Sequence, residues 1–266
     1  PPRLNPQRRN TMATPSTPAY YESYWVKTEG WTPDKGVNNP EERQLFYRHL
    51  KPGMTLIDYG CGNGERYGRD MVARGIDYRG FDISETALAN AASLGLKVDR
   101  ISGDSSIPFA DSTADAAICF EVLEHLMAPD RALAAIHRAL KPGGIAIISV
   151  PNAAFIPQRI EFLFTGFWNP GGSPLTARKT PWRDAHIRFY HPALLRRMLE
   201  SCGFEFAHLF TQPFGFSVLP WCYKRTQLHP LLNALSIPFA WLGRALPGLF
   251  APPLFAVVRN SSPVAP

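Results

Sequence analysis

The chain has 266 residues, 45% of them apolar, and a net charge of +6. That is enough length for one domain with insertions and enough apolar content for a packed core, which excludes a disordered chain. Three arginines within the first ten residues and four cations after Glu205, the last acid, account for more than the whole excess and leave residues 11–210 at −1. The body is therefore not a basic nucleic-acid-binding face. Four scattered cysteines, Cys61, Cys119, Cys202 and Cys222, show no C-x-x-C pairing. They argue against a disulfide framework or a zinc site, and with no charged-then-apolar opening segment the expected location is a reducing cytoplasm.

In chain order, residues 1–19 read as a Pro- and Arg-rich disordered leader in which Met12 is a candidate start. Residues 20–50 form an N-terminal cap. It holds the aromatic run Tyr20-Tyr21-Glu22-Ser23-Tyr24-Trp25, then a helix opened by Asn39, Pro40, Glu41 and Glu42 and ended before Pro52. The core is expected over 51–210. Its first strand, Met54 to Ile57, runs into Asp58-Tyr-Gly60-Cys61-Gly62-Asn-Gly64 and a helix-compatible stretch from Glu65 to Arg74. A strand, a glycine turn and a helix start make a ligand site at the carboxyl edge of a parallel sheet.

Further strands are expected at Ile76 to Phe81, Leu96 to Ile101, Ala116 to Phe120, Ile145 to Val150, Phe204 to Phe210 and Leu254 to Val258. Helices alternate with them: one capped by Ser84 and running to Gly95, one opened by Pro129-Asp130 and closed by Pro142-Gly143-Gly144, and one from Pro192 to Ser201. This βα rhythm predicts a parallel sheet covered on both faces. An aromatic insertion over 151–190 and an apolar one over 211–252 interrupt it, and 253–266 supply the last strand and tail.

The glycine spacing is G-x-G-x-G, with Glu65 where a dinucleotide fingerprint needs its third glycine. Asp82 ends the second strand 20 residues after Gly62, where a carboxylate can accept both hydroxyls of a ribose. A strand-end Asp could also only cap the following helix. Asp104 and Ser105, after strand three, can reach an adenine amino group or form a turn.

The loop resembles motif I of the class I S-adenosylmethionine (SAM) methyltransferases. The series Cys119-Phe-Glu-Val-Leu-Glu-His-Leu126, Leu140-Lys-Pro-Gly-Gly, Ser149-Val-Pro-Asn152, His186-Ile-Arg-Phe-Tyr190 and Leu199-Glu-Ser-Cys-Gly-Phe204 is similar to the ubiquinone-biosynthesis-like O-methyltransferase group. The resemblance covers roughly 50–210. It departs from the group's pattern at Ala114, where an aromatic commonly stands. It implies a three-layer α/β Rossmann-like sandwich with a seven-stranded, mostly parallel sheet in the order 3-2-1-4-5-7-6 and the last strand antiparallel. It also implies SAM as cofactor, held by Asp58, Gly60, Cys61, Gly62, Gly64, Asp82, Ile83, Asp104, Ser105 and Glu121.

Deprotonating a hydroxyl acceptor would need a base, and His125 and His186 are the candidates, each of which could instead be a locally bonded structural histidine. His191 reads as an N-cap. No metal is assigned. The quinone-directed relatives suggest Mg²⁺ at Glu121, Glu124 and His125, although Mg²⁺ favours oxygen-rich shells. The aromatics Phe155, Phe162, Phe164, Phe167, Trp168 and Trp182 line an acceptor pocket or fill a lid core.

The expected function is methylation of a small-molecule hydroxyl, with no nucleic-acid partner. A glycan or lipid-linked envelope acceptor is the alternative enzyme reading, and a SAM-binding protein without turnover the non-enzyme one. Leu232, Leu235, Phe239, Leu242, Leu246 and Leu249 mark an apolar helical face broken at Pro238 into two short helices. Residues 228–250 would then pack as a lid, make a homodimer contact, or rest peripherally on an anionic membrane. Arg244 and Pro247 make them too interrupted to span one.

Overall fold

The computed structural model describes residues 18–27, 47–102, 107–168, 185–211, 241–242, 245–251 and 253–261. The expected helix from Asn39, the pair Asp104 and Ser105, Trp182 and most of the 228–250 segment lie outside them. In chain order come α1 (Pro18–Lys27), β1 (Thr55–Tyr59), α2 (Gly68–Ala73), β2 (Asp77–Asp82), α3 (Glu85–Ser93) and β3 (Val98–Arg100). Then follow β4 (Ala114–Phe120), a 3-10 turn (Leu123–His125), α4 (Pro129–Ala139), β5 (Leu140–Pro151) and α5 (Ile156–Thr165). The chain closes with α6 (Pro192–Ser201), β6 (Phe204–Thr211), α7 (Pro247–Phe250) and β7 (Pro253–Asn260).

The seven strands form one sheet in the order 3-2-1-4-5-7-6, as the resemblance implies. Pairings among β1 to β5 are parallel, and β7 runs antiparallel to both β5 and β6. The centre reads as apolar runs because it is covered on both faces. Ile57, Tyr59, Ala117 and Cys119 point to the layer holding Leu133, Ile136, Leu195 and Leu199, while Leu56, Ala116, Ile118 and Phe120 point to Met71, Tyr78 and Phe255. Helix α3 begins where expected, with the Ser84 hydroxyl accepting from the Ala87 amide at 3.1 Å. Pro129 and Pro192 open α4 and α6.

Two expectations are corrected. The helix after the glycine loop starts at Gly68, not Glu65, because Asn63 accepts from the Glu65 amide at 3.2 Å and holds a turn instead. Strand β5 begins at Leu140, upstream of Pro142-Gly143-Gly144. Pairing passes from Ala114↔Leu140 directly to Ala116↔Ile145, so the turn signal is absorbed as a bulge, with Gly143 at φ +76°. The aromatic insertion contains a regular helix, α5, which ends in left-handed Gly166. Helix α1 adds order to the aromatic run and takes in the last two residues of the expected leader.

Asn152, fully buried at the end of β5, joins the sheet to the second insertion. Its amide nitrogen donates toward the carbonyls of Ala251 (2.7 Å), Pro247 (3.0 Å) and Gly248 (3.2 Å), and its oxygen accepts from the Ala154 amide at 3.0 Å. Replacing Asn152 with alanine strands several buried polar groups at once. We expect a loss of about 1–3 kcal/mol in stability, read as a lower urea midpoint with unchanged slope.

Candidate functional site

The glycine loop is pinned to the neighbouring strand, since the amides of Gly60 and Cys61 both donate to the Phe81 carbonyl, at 2.7 and 3.0 Å. Gly62 has φ +54°, and a Cβ there would lie 2.7 Å from the Trp25 ring, so glycine is required by both backbone and space. Its amide donates to Asp82 Oδ2 at 2.8 Å, while Asp82 Oδ1 accepts from Ser84 at 3.0 Å. Asp82 thus couples loop to α3 and keeps lone pairs for further donors, so its capping and ligand-binding readings do not exclude one another. Ile83 follows it and packs against the core.

Asp58 is buried beneath the loop, where Tyr78 donates its hydroxyl at 2.6 Å. Burial raises the Asp58 carboxyl to about 7 against the opposing effect of that hydrogen bond. Burial also raises Asp82, opposed by the amides of Ser84 and Gly62. Cys61 donates weakly to the Gly62 carbonyl, and its thiol is held well above the ordinary range by burial and then by Asp58 and Asp82. Such a sulfur is a packing group, not a nucleophile.

Glu121 follows β4 with φ +55°, a strained conformation for a non-glycine residue. Its amide donates to Ser149 O and Oγ, both at 3.1 Å, and Ser149 Oγ donates back to Glu121 Oε1 at 2.8 Å. Burial raises this carboxyl, with Ser149, Arg66 and His186 opposing the shift.

The 3-10 turn carries Glu124 and His125, and the 185–190 strap brings His186 to them. The amides of Ile187 and Arg188 donate to the Glu124 carbonyl at 2.9 and 3.1 Å, and Tyr190 donates its hydroxyl to Leu123 O at 3.3 Å. His125 Nδ1 lies 3.1 Å from the Ala185 carbonyl. A carbonyl only accepts, so Nδ1 carries the proton and Nε2 is the basic nitrogen of the neutral ring. The two imidazole rings lie 4.6 Å apart, tilted by 37° to one another.

Glu124 Oε1 is 3.6 Å from His125 Nε2 and 3.9 Å from His186 Nε2, beyond hydrogen-bond reach. Both Glu124 oxygens are buried and have no hydrogen-bond partner among the described residues. Burial, and then the charge of Glu121, hold this carboxyl well above its usual range. Ligand atoms of Glu124, His125 and His186 lie within 4.8 Å of one another. Glu121, the third member of the cation set suggested by the relatives, is engaged with Ser149 instead. His191 occupies the N-cap position of α6 but makes no side-chain cap bond.

Helix α1 roofs the cleft. Trp25 covers Gly62, Tyr21 meets the His125 ring edge-on at 5.9 Å, and the Glu22 carboxylate accepts from the amides of Glu85 and Thr86, the latter at 3.2 Å. Tyr21, Glu22, Trp25, Arg66, Tyr78 and Ser149 were not singled out as site residues from sequence. Only the density of aromatics around Tyr21 and Trp25 offered a signal. Of the insertion aromatics, Phe155 is core, Phe167 and Trp168 are half-buried, and Phe162 and Phe164 are exposed.

A recess with glycine-lined backbone and acids at Asp58, Asp82 and Glu121 suits a ligand bearing ribose hydroxyls, an ammonium and a sulfonium, which is the chemistry of SAM. The sequence profile of a family described as a methyltransferase domain matches residues 39–209. A probable SAM-dependent methyltransferase of Mycolicibacterium smegmatis is 32% identical over 160 residues, covering 59% of this chain and 54% of the relative. The chain therefore spans about half the length of that relative. A ubiquinone biosynthesis O-methyltransferase of Aromatoleum aromaticum is 32% identical over 225 residues, covering 81% of this chain and 88% of the relative. Among solved structures, a SAM-dependent methyltransferase of Thermotoga maritima, described as a possible histamine N-methyltransferase, superposes with a TM-score of 0.60 at 18% identity. It covers 91% of this chain and 98% of that one, a likeness of fold. With the sheet order, the loop and the family profile in agreement, the chain belongs to the SAM-dependent methyltransferases.

Proposed function

We propose that the chain methylates a hydroxyl oxygen of a small-molecule acceptor, with His125 and His186 taking up the hydroxyl proton. The observation that carries this reading is the pair of neighbouring imidazoles, with the buried Glu124 carboxyl beside both, at the carboxyl edge of β4. Bound SAM supplies an electrophilic methyl carbon and leaves as a neutral thioether. The acceptor oxygen forms the new bond to carbon as its proton passes to an imidazole nitrogen. An imidazolium so produced would favour ionisation of the Glu124 carboxyl beside it, and the two opposite charges would then stabilise one another. Tyr21 and Trp25 exclude water from above, and the strap at 185–190 fixes His186. The O-methyltransferase name of a relative similar over most of its length supports oxygen as the target.

Asp58, Gly60, Cys61, Gly62, Gly64, Asp82, Ile83 and Glu121 are assigned to the cofactor, with Asp104 and Ser105 retained from the sequence motif. Arg66, whose charge eases the ionisation of both Asp58 and Glu121, is added as a partner for the cofactor carboxylate. Asp82→Ala is expected to weaken SAM binding by about 1.5–3 kcal/mol in calorimetry. A chain that binds NADH and not SAM overturns the assignment.

Asp58 gives this affinity a pH dependence. Its folded carboxyl titrates near 7, and a cationic cofactor favours the ionised form, so below that pH binding must expel a proton. Affinity should fall as pH is lowered from about 8 to 6, approaching tenfold per unit, with proton release visible in buffers of different ionisation enthalpy. Asp58→Asn should flatten the profile. In the free protein the same raised value means that stability declines as pH rises from the ordinary carboxylate range to about 7.

His125→Ala and His186→Ala, assayed at saturating SAM with a panel of phenolic and sugar acceptors, should lower turnover by about 10²–10⁴ with cofactor affinity retained. Full turnover in both variants overturns the base assignment. Wild-type protein that forms no S-adenosylhomocysteine with any acceptor points instead to a binding protein. One carboxylate and two imidazoles form a softer set than Mg²⁺ selects, so activity is expected to survive EDTA. Loss in EDTA with recovery on adding a divalent metal reassigns the cluster to a cation.

A further inference from the structure

A second cluster of ionisable groups lies at the opposite end of the sheet from the cleft. The register sets Pro253 of β7 against Pro151 at the carboxyl edge, and Arg259 against Ile145 at the other end. There Arg48 and His49, just before β1, meet His208 of β6 and Arg259 of β7. Tyr47 and Leu50 pack against the core on that face and hold the segment in place. The imidazoles of His49 and His208, both half-buried, lie 5.4 Å apart and tilted by 38°. The Arg48 guanidinium spans them, with Nε 3.3 Å from His49 Nε2 and Nη2 3.4 Å from His208 Nε2. A guanidinium only donates, so both Nε2 atoms accept, and each ring is neutral with its proton on Nδ1.

Arg48 is thus a cation bonded to two bases, with no anion to balance it among the described residues. It spends two of its five N–H donors on the rings and keeps three. Burial first, then the charge of Arg48, holds both imidazoles below their ordinary range, and Arg259 adds to this at each. Acids on the neighbouring elements do not offset the charge. Glu205 stands opposite Arg259 in the register, but no ion pair joins it to these groups among the described residues. Asp70 of α2 faces Tyr47 and is paired with Arg74, and Asp115 at the start of β4 is taken by Lys141 and the Thr55 amide.

We infer that Arg48, His49, His208 and Arg259 form a binding site for a tetrahedral dianion, either phosphate or the phosphoryl group of a small metabolite. Guanidinium N–H groups match such oxygens in pairs, and two of them balance the double charge. An arriving dianion also favours protonation of the two rings at Nε2. Each proton taken from solvent breaks one bond to Arg48, frees that donor for the ligand and turns a ring nitrogen from acceptor to donor. Affinity therefore rises as pH is lowered through the ordinary histidine range, whereas above it the arginines alone carry charge. Nothing in this site takes part in the proposed methyl transfer, so the two can fail separately.

The test is calorimetry of the full chain with sulfate at constant ionic strength, since sulfate stays divalent throughout and the pH dependence then belongs to the protein. Affinity should rise by about tenfold or more from about pH 8 to 6, with proton uptake. The double substitution His49→Gln, His208→Gln should flatten that profile, leaving the affinity of wild type at the higher pH. Arg48→Gln should weaken binding at the lower pH by about tenfold. Arg131→Gln, at an exposed position on α4, should bind like wild type, with circular dichroism confirming that every variant folds. Absence of sulfate binding at the lower pH overturns the inference, as does a profile that the histidine variant leaves unchanged. Acetate bound as tightly as sulfate overturns the assignment to a dianion. Phosphate and glycerol phosphate, compared in the same way, separate the free ion from the esterified group, and tight binding of either supports the site.

Discussion

Four carboxylates, those of Asp58, Asp82, Glu121 and Glu124, are drawn into one cleft at the carboxyl edge of the sheet, and the fold has to hold them there against desolvation and mutual repulsion. Each is handled differently. Tyr78 donates to Asp58, two backbone amides to Asp82, and Ser149 to Glu121, whereas Glu124 meets only the edges of two imidazoles. The strained backbone at Glu121 persists because the end of β5 fixes it from two sides. On the proposed reading a cationic cofactor would ease the burial of these groups beyond what their own hydrogen bonds do.

Sequence patterns exposed the sheet because every central strand is covered twice and so reads as an apolar run ending in a turn. They were weaker wherever one residue's side chain competed with a backbone pattern. Asn63 shortened α2, and the Pro-Gly-Gly signal became a bulge because β4 and β5 keep pairing around it. Helix α5 was invisible since its apolar positions face solvent, which defeats a reading that assumes apolar residues point inward. Of the candidate site, Asp82 and the glycines were legible from spacing, His125 from its place after the fourth strand, and Glu124 from the resemblance alone, as a cation ligand. The meeting of His186 with His125 was not, for the strap reaches the turn across about 60 residues through backbone carbonyls such as those of Glu124 and Ala185. Tyr21, Glu22 and Trp25 precede the first strand and touch the cleft across long sequence separations, so no local pattern announces them.

The division of labour in the cleft follows from these attachments. The cofactor side rests on sheet and loop, where backbone amides set the geometry. On the proposed reading the acceptor side rests on insertions, α5 and the strap, which reach the core through residues such as Asn152 and Tyr190. Rigid cofactor chemistry beside variable acceptor surface lets one fold serve many substrates.

The attachment of α1 through Glu22 sets how the cleft breathes. The first-turn amides of a helix have no partners within it, and water can satisfy them when the carboxylate withdraws. Releasing that contact exchanges one solvated arrangement for another and leaves the pairing of the sheet beneath untouched. Lifting the roof means releasing Glu22 from those amides, Trp25 from Gly62 and Tyr21 from His125, contacts made above the sheet and not within it.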